Sequence, residues 1–281
     1  MNTASQNSSL PASPSLVYER IITTLPQAVS LLLAERGQAP EMSPDPQAQW
    51  ELFRALVNTR MPQPASPEFL TLQDQLLQDI LTYRGVVDPS ALPVTSETLP
   101  IKLWQGDITT LATDAIVNAA NSQMLGCFVP GHHCIDNAIH TFAGVQLRLK
   151  CARLMAEQGY PEPTGMAKVT DAFNLPSKTI IHTVGPIAEG NAIPSDCALL
   201  ANCYTACLDA ALNASCTSIA FCCISTGVFG FPQERAARIA VSSVVEWLKA
   251  QESACASVPE VIFNVFLDMD RACYEEILKA Y

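Results

Sequence analysis

Leu, Ile, Val and Phe recur at spacings of three and four through Leu16–Glu35, Gln47–Thr59 and Ser66–Arg84. That period gathers them on one face of a helix. Prolines at 40, 44, 46, 62, 64 and 67 separate the segments, so the first 95 residues read as an N-terminal extension of about three helices. From about residue 99 the pattern changes. Short apolar blocks at Ile101–Gln105, Ala115–Ala119, Met166–Ala172, Thr179–Thr183, Ser218–Cys223 and Val261–Phe266 read as strands. Between and after them, Cys134–Gln158, Ser195–Ala214, Pro232–Lys249 and Asp270–Tyr281 read as helices. The third of these starts on a proline with Glu234 just behind, both favourable in a first turn. Strands alternating with helices imply an α/β sandwich on a mostly parallel sheet, placed here at residues 96–281. Ligands of such folds bind beyond the carboxyl ends of the strands. The loops there are Gly106–Thr110, Asn118–Cys134, Gly185–Pro194 and Ser225–Phe231.

Composition narrows the function. The 281 residues are 49% hydrophobic and 15% charged, which suits a packed chain and argues against disorder. A net charge of -11 repels a phosphate backbone and argues against bulk nucleic-acid binding. Small anions are still admissible, because backbone N–H groups hold phosphates without lysine or arginine. No apolar run approaches the ~18 residues that span a bilayer. Met1 to Tyr18 contains no lysine or arginine, so it resembles neither a secretory nor a mitochondrial leader. The expectation is a cytoplasmic protein with no membrane partner. Of the 11 cysteines, several sit in apolar stretches such as Ala220–Ile224, as buried thiols do in a reducing compartment.

Three clusters carry chemistry. In Cys127-Phe128-Val129-Pro130-Gly131-His132-His133-Cys134, two thiols and an imidazole stand at ligand spacing around a Pro-Gly turn. Zinc prefers these ligands, and three of them with an open fourth position describe a catalytic site better than a structural one. Spacing leaves His132 and His133 as rivals. Asp136 follows at the start of a helix. The second cluster, Ser225-Thr226-Gly227-Val228-Phe229-Gly230, runs from an apolar strand towards a helix and suits an anion held by backbone N–H groups. It lacks the lysine of a Walker loop and the glycine spacing of a dinucleotide fingerprint. The third joins Gly106-Asp107-Ile108-Thr109 to Asn118-Ala119-Ala120-Asn121. Asp107 can accept from an amino group, and the two asparagines suit sugar hydroxyls. His140 and His182 read as structural.

Taken in order, Gly106–Thr109, Ile116–Asn121, His182–Pro186 and Ser225–Pro232 resemble the motifs of macrodomains. The resemblance covers roughly residues 98–281. Where most hydrolytic macrodomains carry a glycine-rich run before an aspartate, this chain has Gly126 to His140, which is similar to the zinc-containing subfamily often associated with sirtuin-like ADP-ribosyltransferases. Members of that subfamily tend to carry an N-terminal helical extension. The resemblance implies a three-layer α/β/α sandwich and a zinc ion on Cys127, His132 and Cys134. It places Asp107 and the Ile108 backbone at the adenine, and Ser225, Thr226, Gly227, Val228, Phe229 and Gly230 around the diphosphate and distal ribose. Asn118, Asn121 and Cys127 would touch the ADP-ribose as well, and Asp136 and Asn121 would take part in catalysis. The implied activity is zinc-dependent removal of mono-ADP-ribose from an ADP-ribosylated protein. The alternative is a non-catalytic reader that binds ADP-ribose.

Overall fold

The computed structural model describes residues 13–96, 98–253 and 258–281. The first 12 residues, counted above in the extension and in the leader argument, lie outside the described residues, as do Glu97 and residues 254–257 of the second region.

Three helices open the chain: α1 (Pro14–Glu35), α2 (Pro46–Asn58) and α3 (Pro67–Arg84). Each has a proline in its first turn, where the missing N–H costs nothing. Asp45 caps α2 by accepting from the N–H of Ala48 (3.1 Å), and Ser66 caps α3 by accepting from Phe69 (3.1 Å). The three helices share a core of their own around Leu25, Val29, Leu32, Phe53, Leu56, Leu76 and Leu77. By length and composition α1 is apolar enough to cross a membrane, contrary to the sequence expectation. In this structure α1 instead buries Val17, Leu25, Ala28, Val29, Leu32 and Leu33, most of them in the core it shares with α2 and α3.

The second region alternates as expected: β1 (Ile101–Gln105), β2 (Ala115–Ala120), α4 (Ile135–Ala143), α5 (Val145–Gln158), β3 (Ala167–Asp171), β4 (Thr179–Val184), α6 (Pro194–Asn213), β5 (Ser218–Phe221), α7 (Gln233–Ser253), β6 (Glu260–Val265) and α8 (Asp268–Leu278). The six strands form one sheet in the order β1-β6-β5-β2-β4-β3. All pairings are parallel except β3 with β4. Helices flank the sheet and bury a continuous core that includes Ile116, Ile181, Phe221, Val261 and Phe263. At the outer edge of β1, Val94 forms an isolated antiparallel bridge with Lys102. Thr95 donates its N–H to the carbonyl of Ile101 (3.1 Å) and accepts from the N–H of Leu103 at its hydroxyl (2.8 Å).

One expected helix, Cys134–Gln158, is two. Gly144 stops it with φ 97° and ψ 169°. A side chain there would meet Gln146 and Gln73, each at 2.6 Å from its first carbon. Gln73 of α3 occupies that space and accepts from the N–H of Val145 (2.9 Å), which starts α5. The helical extension therefore docks on the break, and Phe142 and Val145 join the core of α1–α3.

Candidate active site

A cleft of about 1120 Å³ lies across the carboxyl ends of the parallel strands. Gly106, Asp107 and Ile108 enter it after β1, Ala119 to Asn121 at the end of β2, and Gly185 after β4. Ser225 to Phe229 follow β5, and Phe266 and Leu267 follow β6. The segment Cys127–Asp136 forms another part of the wall.

Within that segment Cys127, His132 and Cys134 converge, their ligand atoms all within 4.8 Å of one another. Cys127 Sγ stands 3.7 Å from His132 Nδ1. Ligands of a tetrahedral zinc at ordinary bond lengths are separated by about 3.5–3.8 Å, so the set fits that ion with small adjustment. His132 is the histidine that joins the two thiols; its rival His133 stays exposed on the cleft wall. Cys134 also caps α4, its sulfur accepting from the N–H of Asn137 (3.4 Å). Burial pushes its thiol up to about 12, and the neighbouring charges of Cys127 and Asp136 add to this. A second ligand-like group, His140, Cys151 and His182, is fully buried. Both ring nitrogens of His182 are already engaged there, by Asn118 (3.1 Å) and Thr170 (2.9 Å).

Asp136 lines the cleft but is only 5% exposed. Burial raises its carboxyl to about 6, against a hydrogen bond from Asn118 and the charge of Arg148, which lower it. Asn118 donates to its Oδ1 (2.8 Å) and Asn121 to its Oδ2 (3.4 Å). Asn118 also donates to Nδ1 of His182, which burial holds neutral by pushing it down to about 3. The tautomer that accepts at Nδ1 can donate at Nε2 to Thr170, so Asp136 is aimed by a chain of neutral dipoles.

The expected site residues divide accordingly. Asp107, Ile108, Asn121, Cys127, Ser225, Thr226, Gly227, Val228 and Phe229 all line the cleft. Asn118 does not: it is 0% exposed and lies behind Asp136. Strand side chains alternate, and Asn118 falls on the face covered by α4, whereas Asn121 lies past the end of β2. Gly230 is also outside the cleft. Its N–H closes a turn onto Gly227 (3.0 Å), and its carbonyl accepts from Gly190 (2.8 Å). Ser225 has φ 66°, and its hydroxyl is buried with no partner among the described residues. Asp107 accepts from the N–H of Thr109 (2.9 Å) and is ion-paired with Arg84 of α3.

The sequence reading missed Trp50, Arg54, Asn264, Phe266 and Asp270, all on the cleft wall. The first two come from α2. A tryptophan and an arginine beside Phe53 and Leu56 on an amphipathic helix give no local sign of facing a cleft elsewhere in the chain. Arg148 was missed too. It is buried beneath the loop, donating to Leu125 (2.7 Å) and carrying the ring of Phe128 over its guanidinium at 4.3 Å. A charged residue between Leu147 and Cys151 was the available signal.

The Macro domain family matches residues 117–240. A Protein-ADP-ribose hydrolase of Treponema medium is 52% identical over 236 residues, covering 83% of this chain and 89% of that protein. Among solved structures, the Oceanobacillus iheyensis macrodomain with ADP is 38% identical with a TM-score of 0.57, covering 64% of this chain and 90% of that one. The Trypanosoma brucei macrodomain in complex with ADP-ribose is 28% identical with a TM-score of 0.60, covering 84% and 96%.

Proposed function

The chain belongs to the Macro domain family, and on that premise we propose that it is a zinc-dependent hydrolase that removes mono-ADP-ribose from a modified protein side chain. One observation carries the reading. Two thiols and an imidazole converge beside a buried carboxylate, on the wall of a cleft that is also lined by an aspartate and a strand-to-helix loop suited to a nucleotide diphosphate. A module that only bound ADP-ribose would need the cleft but no Lewis acid. The volume of about 1120 Å³ lies at the upper end of the ~300–1,000 Å³ usual for small-ligand sites, enough for a ligand as large as ADP-ribose.

Asp107 would accept from the adenine amino group at one end of the cleft. The backbone and hydroxyls of Ser225–Phe229 would hold the diphosphate and so fix the distal ribose. The Ser225 hydroxyl, which has no partner among the described residues, is available to a phosphate or sugar oxygen. Zinc on Cys127, His132 and Cys134 would supply a Lewis acid that polarises an oxygen of the ribose or the ester carbonyl. Asp136, aimed by Asn118 and held above the usual carboxylate range by burial, would orient the attacking water and accept its proton. Asn121 would act beside it. The protein partner would be the ADP-ribosylated substrate, met in a reducing, cytoplasmic setting that suits the free cysteines.

The test combines metal content with turnover of a mono-ADP-ribosylated protein. One zinc per chain and release of free ADP-ribose are expected, both lost in Cys127→Ala while ADP-ribose still binds. Full turnover by verified metal-free protein would refute zinc dependence. Tight ADP-ribose binding with no release from any acceptor would turn the reading into that of a reader.

A further inference from the structure

The loop that carries the three ligands is pinned from outside its own sheet. Asn58, at the end of α2, accepts from the N–H of Gly131 (3.1 Å) and donates to Thr141 of α4 (2.9 Å). Arg54, one turn earlier, donates through Nη2 to the carbonyl of His132 (3.2 Å) and to Asn137 Oδ1 (3.0 Å). Asn137 in turn donates to the carbonyl of Val129 (3.1 Å). Below the loop, Arg148 joins the carbonyl of Leu125 (2.7 Å) to those of Val57 in the last turn of α2 (3.1 Å) and Arg60 just past it (2.6 Å). Side chains therefore hold the backbone of Val129, Gly131 and His132, and two of those three come directly from α2.

The physical need is plain. Ligands at 127, 132 and 134 lie on irregular backbone around Gly131, whose φ is 63°. Fixing each such residue costs about 1–2 kcal/mol of chain entropy. A loop held in place beforehand presents its ligands without that loss at the moment of binding. Arg54 is also a poor choice for packing alone, since its Nε is buried with no partner among the described residues, a cost of about 1–3 kcal/mol.

We propose that α2 is part of the metal centre: Arg54 and Asn58 are positioning residues that fix the Val129–His132 segment so that Cys127, His132 and Cys134 converge on one cation. This rests on the zinc reading above and assigns the helical extension a task within it. Partners that orient a metal's ligands typically change metal affinity about 10–100-fold when removed.

The test uses the full chain loaded with zinc and challenged with a chromophoric chelator, reading affinity and release rate. Arg54→Ala and Asn58→Ala should release zinc about 10–100-fold more readily, and Asn58→Ala, whose residue lies outside the cleft lining, should leave ADP-ribose affinity by calorimetry little changed. Arg36→Ala is the control. Arg36 braces the same helix at Leu56 (2.8 Å) and Thr59 (2.6 Å) without touching the loop, so its loss should lower the melting temperature and leave zinc retention unchanged. Should Arg54→Ala fail to fold, Arg54→Lys, which keeps the charge and one donor, is expected to show a smaller loosening in the same direction. Unchanged zinc retention in both loop variants, or equal loosening by Arg36→Ala, overturns the proposal and leaves the zinc reading intact. A wild-type chain that binds no zinc overturns both.

Discussion

Gly185→Ala offers a sharp test of how β4 and the loop after β5 share space. A first side-chain carbon at Gly185 would stand 2.0 Å from Ser225 Oγ, 2.8 Å from Ile224 Cγ2 and 3.3 Å from Ser225 Cβ. Ordinary contacts of this kind are about 3.5–4.0 Å, so Ser225 must retreat by more than an ångström. Turning its hydroxyl aside is not enough, because Ile224 remains. Overpacking of this kind costs about 1–3 kcal/mol, and that is the expected loss in urea denaturation. Affinity for ADP-ribose should fall with it, since Ser225, which must move, lines the cleft. Ser225→Gly should act in the opposite sense on stability. It removes the two obstructing atoms of Ser225, among them a hydroxyl with no partner among the described residues, and frees a backbone at φ 66° that costs a residue with a side chain about 1–2 kcal/mol. The double variant should recover part of the Gly185→Ala loss, the remainder being the contact with Ile224, with a coupling of about 1–2 kcal/mol. Strictly additive losses, or a Gly185→Ala chain as stable as the parent, would refute the steric account.

Asp107→Ala should weaken ADP-ribose binding about 10–100-fold in calorimetry, the range for a hydrogen bond to a charged group; unchanged affinity would remove Asp107 from the adenine. Arg84→Ala, which deprives Asp107 of its ion-pair partner, should cost no more than about 1 kcal/mol of that affinity, less at high salt. Asp114 ties β2 to its neighbours by accepting from the N–H and hydroxyl of Thr217 (2.7 Å each) and pairing with Lys178 (2.6 Å). Burial alone would raise its carboxyl, but these partners outweigh burial and hold it below its ordinary 3.8. Its contribution to stability is therefore present above about pH 4 and lost as pH falls through the lower, folded value. Asp114→Ala should cost about 1–2 kcal/mol at pH 7, a deficit that shrinks below pH 3; a gap of constant size across that range would refute the assignment.

Much of this architecture is legible in the chain. All six strands fall close to their expected positions; β2, β4, β5 and β6 bury compact apolar blocks, whereas β3 is a partly exposed edge strand that buries only Thr170. The lower legibility of other features has a common cause. The helix expected over Cys134–Gln158 breaks at Gly144 because Gln73, 71 positions earlier, fills the space and supplies the acceptor. Asn118 reads as a sugar-binding residue until the register of β2 turns it towards α4. Trp50 and Arg54 reach the cleft only because α2 docks there. The motif residues are local in sequence and could be found; the residues that support them arrive by tertiary packing and carry no local mark.

The bridge between Val94 and Lys102 has a consequence for how these molecules behave together. An outermost strand with free amides and carbonyls is a template on which another chain can add itself, the first step towards fibrous aggregates. Along β1 the carbonyl of Ile101 and the N–H of Leu103 are already spent on Thr95. The stretch that joins the helices to the sheet thus also covers the first half of that margin, and in a crowded solution it leaves a neighbouring molecule fewer free groups there to pair with.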